Sequence, residues 1–94
     1  MIGYLSGTIH AKDANWLIVD VSGVGYRVFV TDGISYEHSI GHHIKLYIHH
    51  HFSENNQALY GFLTLQELDF FHLLISINGV GPKMALGILT ATSV

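Results

Sequence analysis

Cysteine is absent from the chain, proline occurs once, and only four of its 94 residues are lysine or arginine. Without cysteine there is no disulfide framework, and nothing argues for an oxidising compartment. No apolar run approaches the length of a bilayer span. The opening Met1-Ile2-Gly3-Tyr4-Leu5-Ser6 lacks the basic-then-apolar layout of a secretory signal, so a cytoplasmic protein with no membrane contact is expected. Seven acidic residues against four basic ones leave a net charge of −3 with histidine neutral. That balance speaks against an extended electrostatic grip on nucleic acid, though not against local phosphate clamps. Eight histidines move the balance only below about pH 6.5.

What is present is apolar. Hydrophobic residues make up 49 % of the chain and charged ones 12 %, a composition that folds. The length suits one small domain, or one with part of a second.

Residues 1–62 read as a small β domain. Met1 to His10 forms a first strand, with Gly3 and Gly7 marking a bulge or strong curvature. Asn15 to Val21 is a second strand, with Leu17, Val19 and Val21 on one face and Trp16, Ile18 and Asp20 on the other. A turn at Ser22-Gly23-Val24-Gly25 leads into a third strand, Tyr26 to Val30. Thr31 to Gly41 is a connector with a helical turn around Ile34 to His38. The fourth strand, His43 to Phe52, puts Ile44, Leu46 and Ile48 inward and Lys45, Tyr47 and His49 outward. Ser53-Glu54-Asn55-Asn56 is a polar hairpin tip, and Gln57 to Leu63 returns. About five short, curved strands with a mid-chain connector predict a closed or partly closed β barrel of the OB-fold type rather than a β sandwich.

Residues 63–94 read as helical, making the whole α+β. Thr64 and Glu67 form a capping box, with Leu63 and Leu68 placed as a hydrophobic staple. The helix from Leu65 to about Ile77 is apolar nearly all round, which a lone surface helix is not. A second helix, Pro82 to about Ala91, carries Met84, Ala85, Leu86, Ile88 and Leu89. Two such helices cannot bury all of that surface against each other. They pack on the β domain and on other subunits, or the chain is a fragment of a longer protein.

Between the helices lies Ile77-Asn78-Gly79-Val80-Gly81-Pro82-Lys83, the centre of a helix–hairpin–helix. Gly79 suits a left-handed stop, Gly81 leaves backbone N–H groups open, and Pro82 suits the first helical position. The open amides and the positive end of the second helix make a seat for a phosphate. Lys83 adds a direct charge there, where the helix dipole by itself favours an acid. Read from the residues alone, a tight turn between packed helices remains the alternative.

Four motifs in order carry a resemblance that covers the whole chain. They are Met1-Ile2-Gly3-Tyr4-Leu5-Ser6-Gly7, Gly23-Val24-Gly25-Tyr26-Arg27-Val28, Leu59-Tyr60-Gly61-Phe62 and Asn78-Gly79-Val80-Gly81-Pro82-Lys83. In sequence and spacing they resemble the RuvA family of bacterial Holliday-junction proteins. The resemblance implies an N-terminal OB-like barrel and the first half of a domain holding two helix–hairpin–helix motifs. It implies a non-catalytic homotetramer, stacking to an octamer, that holds four-way junction DNA open and square. The RuvB ATPase, recruited through a C-terminal domain placed beyond Val94, then drives branch migration, and the RuvC resolvase cuts. Gly79, Val80, Gly81 and Lys83 become the first phosphate clamp on each arm, independent of base sequence. The family's acidic pin falls on the hairpin tip at Glu54 and Asn55. Asn55 stands where the family has a second acid and Ser53 where it commonly has a basic residue, so the pin keeps one charge.

Other chemistry finds little support. His49 and His51 share a strand face and could hold an ion, but neither cysteine nor a well-spaced carboxylate completes a set, so solvent-facing histidines are expected. His72 is expected packed or at the surface. Gly23-Val24-Gly25 leads into strand, not helix, and reads as a turn rather than a nucleotide loop. No catalytic residues, cofactor or metal are expected. Two rivals are a docking piece of a DNA-repair enzyme, such as a glycosylase or ligase, and a module that only assembles oligomers.

Overall fold

The computed structural model describes residues 1–91. Five strands close into a barrel: β1 (Tyr4–Lys12), β2 (Trp16–Val21), β3 (Val24–Phe29), β4 (His43–Ser53) and β5 (Asn56–Phe62). Three helices accompany them: α1 (Asp32–Glu37), α2 (Leu65–Ile75) and α3 (Pro82–Ala91). Around the barrel the order is β1-β2-β3-β5-β4, the expected OB-type closure. Every strand pair is antiparallel except β3 with β5, whose parallel pairing covers only Val28↔Leu59 and Phe29↔Tyr60.

Alternation of side chains builds the interior. Leu17 and Val19 from β2, Val28 from β3, and Ile44, Leu46 and Ile48 from β4 all point inward and are buried with Leu5, Ile9 and Val30. Gly61 is the inward residue of β5 where no side chain fits. A Cβ there would lie 2.6 Å from Cγ1 of Val28 and 3.1 Å from Cδ1 of Leu46. α1 joins the same core through Ile34. Thr31 caps its start, accepting from the Ile34 amide, and Lys12 holds its end, its Nζ donating to the carbonyls of Ser35 and His38 at 2.8 Å each.

Two expectations shift. The irregularity in β1 falls between Ile9 and Ala11, not at a glycine; Gly7 instead lets β2 come close, since a Cβ there would meet the carbonyl of Asp20. The β2–β3 turn is shorter than expected, because Val24 and Gly25 already pair with Val21 and Asp20. Only Ser22 and Gly23 form the loop, with φ of 51° and 90°. Positive φ at both central residues is the turn geometry that follows the twist of paired strands.

A second core lies outside the barrel. Tyr60 and Phe62, on the outer face of β5, meet Leu68 and Phe71 of α2 and Ala85, Leu86 and Leu89 of α3. The Phe71 ring sits 4.9 Å from that of Phe62 and 5.5 Å from that of Tyr60. Each such buried Phe or Leu contributes about 1.5–3 kcal/mol, so the helices are anchored on the barrel wall.

At the start of α2 the Thr64 hydroxyl accepts from the Glu67 amide at 3.2 Å and donates to the Glu67 carboxylate at 3.1 Å. The glutamate therefore braces the capping hydroxyl itself, where a full capping box would have it reach back to the Thr64 amide. The helix stops at Ile75, short of Ile77: the Ser76 hydroxyl donates to the Leu73 carbonyl at 2.6 Å, and the Ile77 amide bonds the Leu74 carbonyl at 3.1 Å, three residues back.

Candidate nucleic-acid interface

The hairpin between α2 and α3 is built on one backbone turn. The Val80 amide donates to the Ile77 carbonyl at 3.1 Å, and Gly79 within that turn has φ of 86°. A turn with positive φ at its third position strongly favours glycine. Gly79 is thus the left-handed residue of the hairpin, several positions after the helix has ended, and not the stop of α2 itself. The Val80 side chain packs onto the outer core, which fixes the hairpin to the barrel.

Past the turn, the Gly81 carbonyl accepts the Ala85 amide at 3.0 Å, the first bond of α3. Pro82 takes the first helical position, as its fixed φ and missing N–H suit. Among the described residues the amides of Gly79, Gly81, Lys83 and Met84 have no hydrogen-bond partner. Open space lies where a Cβ would stand at both Gly79 and Gly81. Val80 differs from its neighbours: its amide is already committed to Ile77.

The few cations are distributed unevenly. Lys12 is occupied with the end of α1. The Arg27 guanidinium lies 5.1 Å from the Trp16 ring, and Lys45 lies 5.0 Å from Tyr4 and 5.4 Å from Tyr47. Lys83 is exposed in the first turn of α3 and, among the described residues, has no hydrogen-bond or ring partner. Far along the chain, Glu54 and Asn55 form the exposed two-residue loop of the β4–β5 hairpin, closed by the Ser53↔Asn56 pair.

The histidines of β4 depart from expectation. His49 is not a free solvent-facing ring. It is half-buried, with its ring 5.4 Å from Phe71. Its Nδ1 lies 3.1 Å from Nε2 of His72 on α2, and its Nε2 3.4 Å from Nδ1 of His51. Burial first, then the nearby His72, His51 and His50, lower its pKa to about 4. The neighbouring Tyr60 hydroxyl is pushed up by burial alone. The signal that could have shown this was the all-round apolar composition of α2, which must cover some outward strand face. No group of three or more His, Asp or Glu able to hold a metal exists among the described residues. No helix among them is long and apolar enough to cross a membrane.

A closed five-strand barrel of OB type, with a helix–hairpin–helix seated on its outer wall, defines the class. The family model of the RuvA N-terminal domain matches residues 1–61. A Holliday junction branch migration complex subunit RuvA of Rickettsia bellii is 50 % identical over 91 residues, covering 97 % of this chain and 45 % of the relative. The protein of the same name from Acetivibrio thermocellus is 45 % identical over 94 residues, 99 % of this chain and 46 % of the relative. The chain belongs to the RuvA N-terminal domain family. It spans just under half the length of the curated relatives it matches.

Proposed function

We propose that this chain is the junction-gripping part of a non-catalytic DNA-binding subunit of Holliday junction branch migration, acting in recombination and repair. The observation that carries the reading is the 77–83 hairpin. Its unpartnered amides at Gly79 and Gly81 stand beside the uncommitted Lys83, with open space above both glycines. Amides at a helix start and one cation suit a phosphate oxygen and ignore base identity. Gly79, Gly81 and Lys83 would contact the phosphate, while Val80 would hold the hairpin in place.

Glu54, with Asn55 beside it, would act as the acidic pin, repelling phosphates near the junction centre. Assembly into a homotetramer, or an octamer of two, is supported by the apolar residues that α2 leaves exposed, Phe70, Leu73 and the following Ile77. Contact with the RuvB ATPase would lie in the part of the relatives' length that this chain does not cover, and the RuvC resolvase would be a further partner. The setting would be the cytoplasm.

The test is binding of the purified chain to a labelled four-way junction across a salt series, with linear duplex as competitor. A junction preference that weakens with salt supports the reading. Equal affinity for both DNAs favours a generic duplex-docking hairpin, and no binding at all removes the junction-gripping role from this chain.

A further inference from the structure

The parallel contact between β3 and β5 is two residue pairs long. Before those pairs the two strands diverge, and the gap is an open groove on the barrel surface. Asn56 and Gln57, at the foot of the β4–β5 hairpin, lie at one end of it, and Lys83 of α3 contributes to the other. Arg27 projects from β3 between them, and His50 and Tyr60 complete the part of the wall that matters here.

The groove's charge sets it apart. Its lining holds two cations, Arg27 and Lys83, and no carboxylate. Three other clefts of the surface each include at least one of Asp13, Asp32, Glu37 and Glu67. In a chain carrying −3 overall, a carboxylate-free groove with half of all its basic residues is a local reversal of sign. The polar wall is held in order. His50 Nδ1 accepts from the Ile2 amide at 3.2 Å, which puts the ring proton on Nε2, where it donates to Oε1 of Gln57 at 3.0 Å. The Gln57 amide nitrogen is left to offer its hydrogens to a visitor.

We infer that this groove carries one sugar–phosphate strand from the β4–β5 hairpin to the α2–α3 hairpin, with Arg27 as its second phosphate contact and Gln57 as a neutral donor. The inference rests on the nucleic-acid reading above and adds the path between its two ends. Occupation by a phosphate draws the Arg27 guanidinium from its place over Trp16, 5.1 Å away. Trp16 is the only tryptophan in the chain, so its fluorescence reports the event directly.

The experiment compares wild-type chain with Arg27→Gln, Arg27→Lys and Gly79→Asp, using a labelled four-way junction and a salt series, with circular dichroism as the folding control. Arg27→Gln is expected to weaken junction binding about tenfold and to lower the slope of log affinity against log salt by about one. Arg27→Lys keeps most of the slope, and junction DNA changes Trp16 fluorescence in the wild type. If Arg27→Gln binds with unchanged affinity and slope while Gly79→Asp loses binding, the groove is not the path and the clamp still stands. If Arg27→Gln does not fold, a wild-type Trp16 signal indifferent to junction DNA overturns the path. Failure of the wild type to bind any DNA overturns both.

Discussion

His49 on β4 and His72 on α2 face each other, Nδ1 to Nε2, at 3.1 Å. The pair ties the barrel wall to α2 at a point where burial makes a positive charge costly. His49 is held neutral there, its pKa lowered from 6.5 to about 4. The unfolded chain therefore binds more protons at this residue than the folded one between those values. Stability contributed by the neutral imidazole is complete above about pH 6.5 and is lost as pH falls toward 4. Thermal unfolding of the wild type is expected to show a steeper fall of Tm from pH 7 to pH 4.5 than that of His49→Gln. Parallel curves would show that His49 pays no such charging cost.

Gly79 and Gly81 look alike in sequence and differ in backbone. Gly79 has φ of 86°, whereas Gly81 lies outside the positive-φ set. A side chain at Gly79 is strained whatever the space around it, so Gly79→Ala should cost about 1 kcal/mol. Gly81 precedes Pro82 at the helix start, where serine is a favoured cap, so Gly81→Ser should stay within about 0.5 kcal/mol of wild type. Under the proposed reading Gly81→Ser nevertheless weakens junction binding, because its side chain enters the space left for phosphate. Denaturant midpoints and binding curves on the same samples separate the two effects. A Gly81→Ser protein with wild-type affinity would remove Gly81 from the clamp.

Gly61 tests the barrel interior. Its missing Cβ would press on Cγ1 of Val28 at 2.6 Å and Cδ1 of Leu46 at 3.1 Å. Gly61→Ala is expected to destabilise by about 1–3 kcal/mol through overpacking. Adding Val28→Ala should recover part of that loss, because the nearest clashing atom is removed. Equilibrium unfolding in urea of the single and double variants measures this coupling. Strictly additive losses would mean that the strain is relieved elsewhere.

Much of this architecture was legible in the residues because local rules and tertiary packing agree. Ile44, Leu46 and Ile48 alternate and are buried; Pro82 opens α3; Thr64 caps α2. The Ser22-Gly23 loop was less legible, since pairing across the strands decides how many turn residues remain unpaired. The place of His49 was hidden for a different reason. Strand periodicity separates two faces but does not say that the outer one is covered by a helix, and here Phe71 covers it. In the hairpin, the need for glycine at 79 follows from local chemistry. The use of the Val80 amide by Ile77 does not, because it depends on where α2 stops.

Glu54 is exposed at the tip of the β4–β5 hairpin, so its replacement should leave the fold unchanged. Its proposed role is repulsion, which makes the sign of the effect on DNA binding distinctive. A like charge facing phosphates raises the free energy of every complex that brings duplex against the tip. Glu54→Gln removes it, and is expected to tighten binding to linear duplex more than to a four-way junction, narrowing the preference. Asn55→Asp adds a second charge at the same tip and should widen it. Both shifts shrink with added salt, because charges at an exposed tip are screened over about 10 Å at 0.1 M. Competition titrations at two ionic strengths measure the ratio of the two affinities. A ratio unmoved by either substitution at low salt would reduce Glu54 and Asn55 to solvated turn residues.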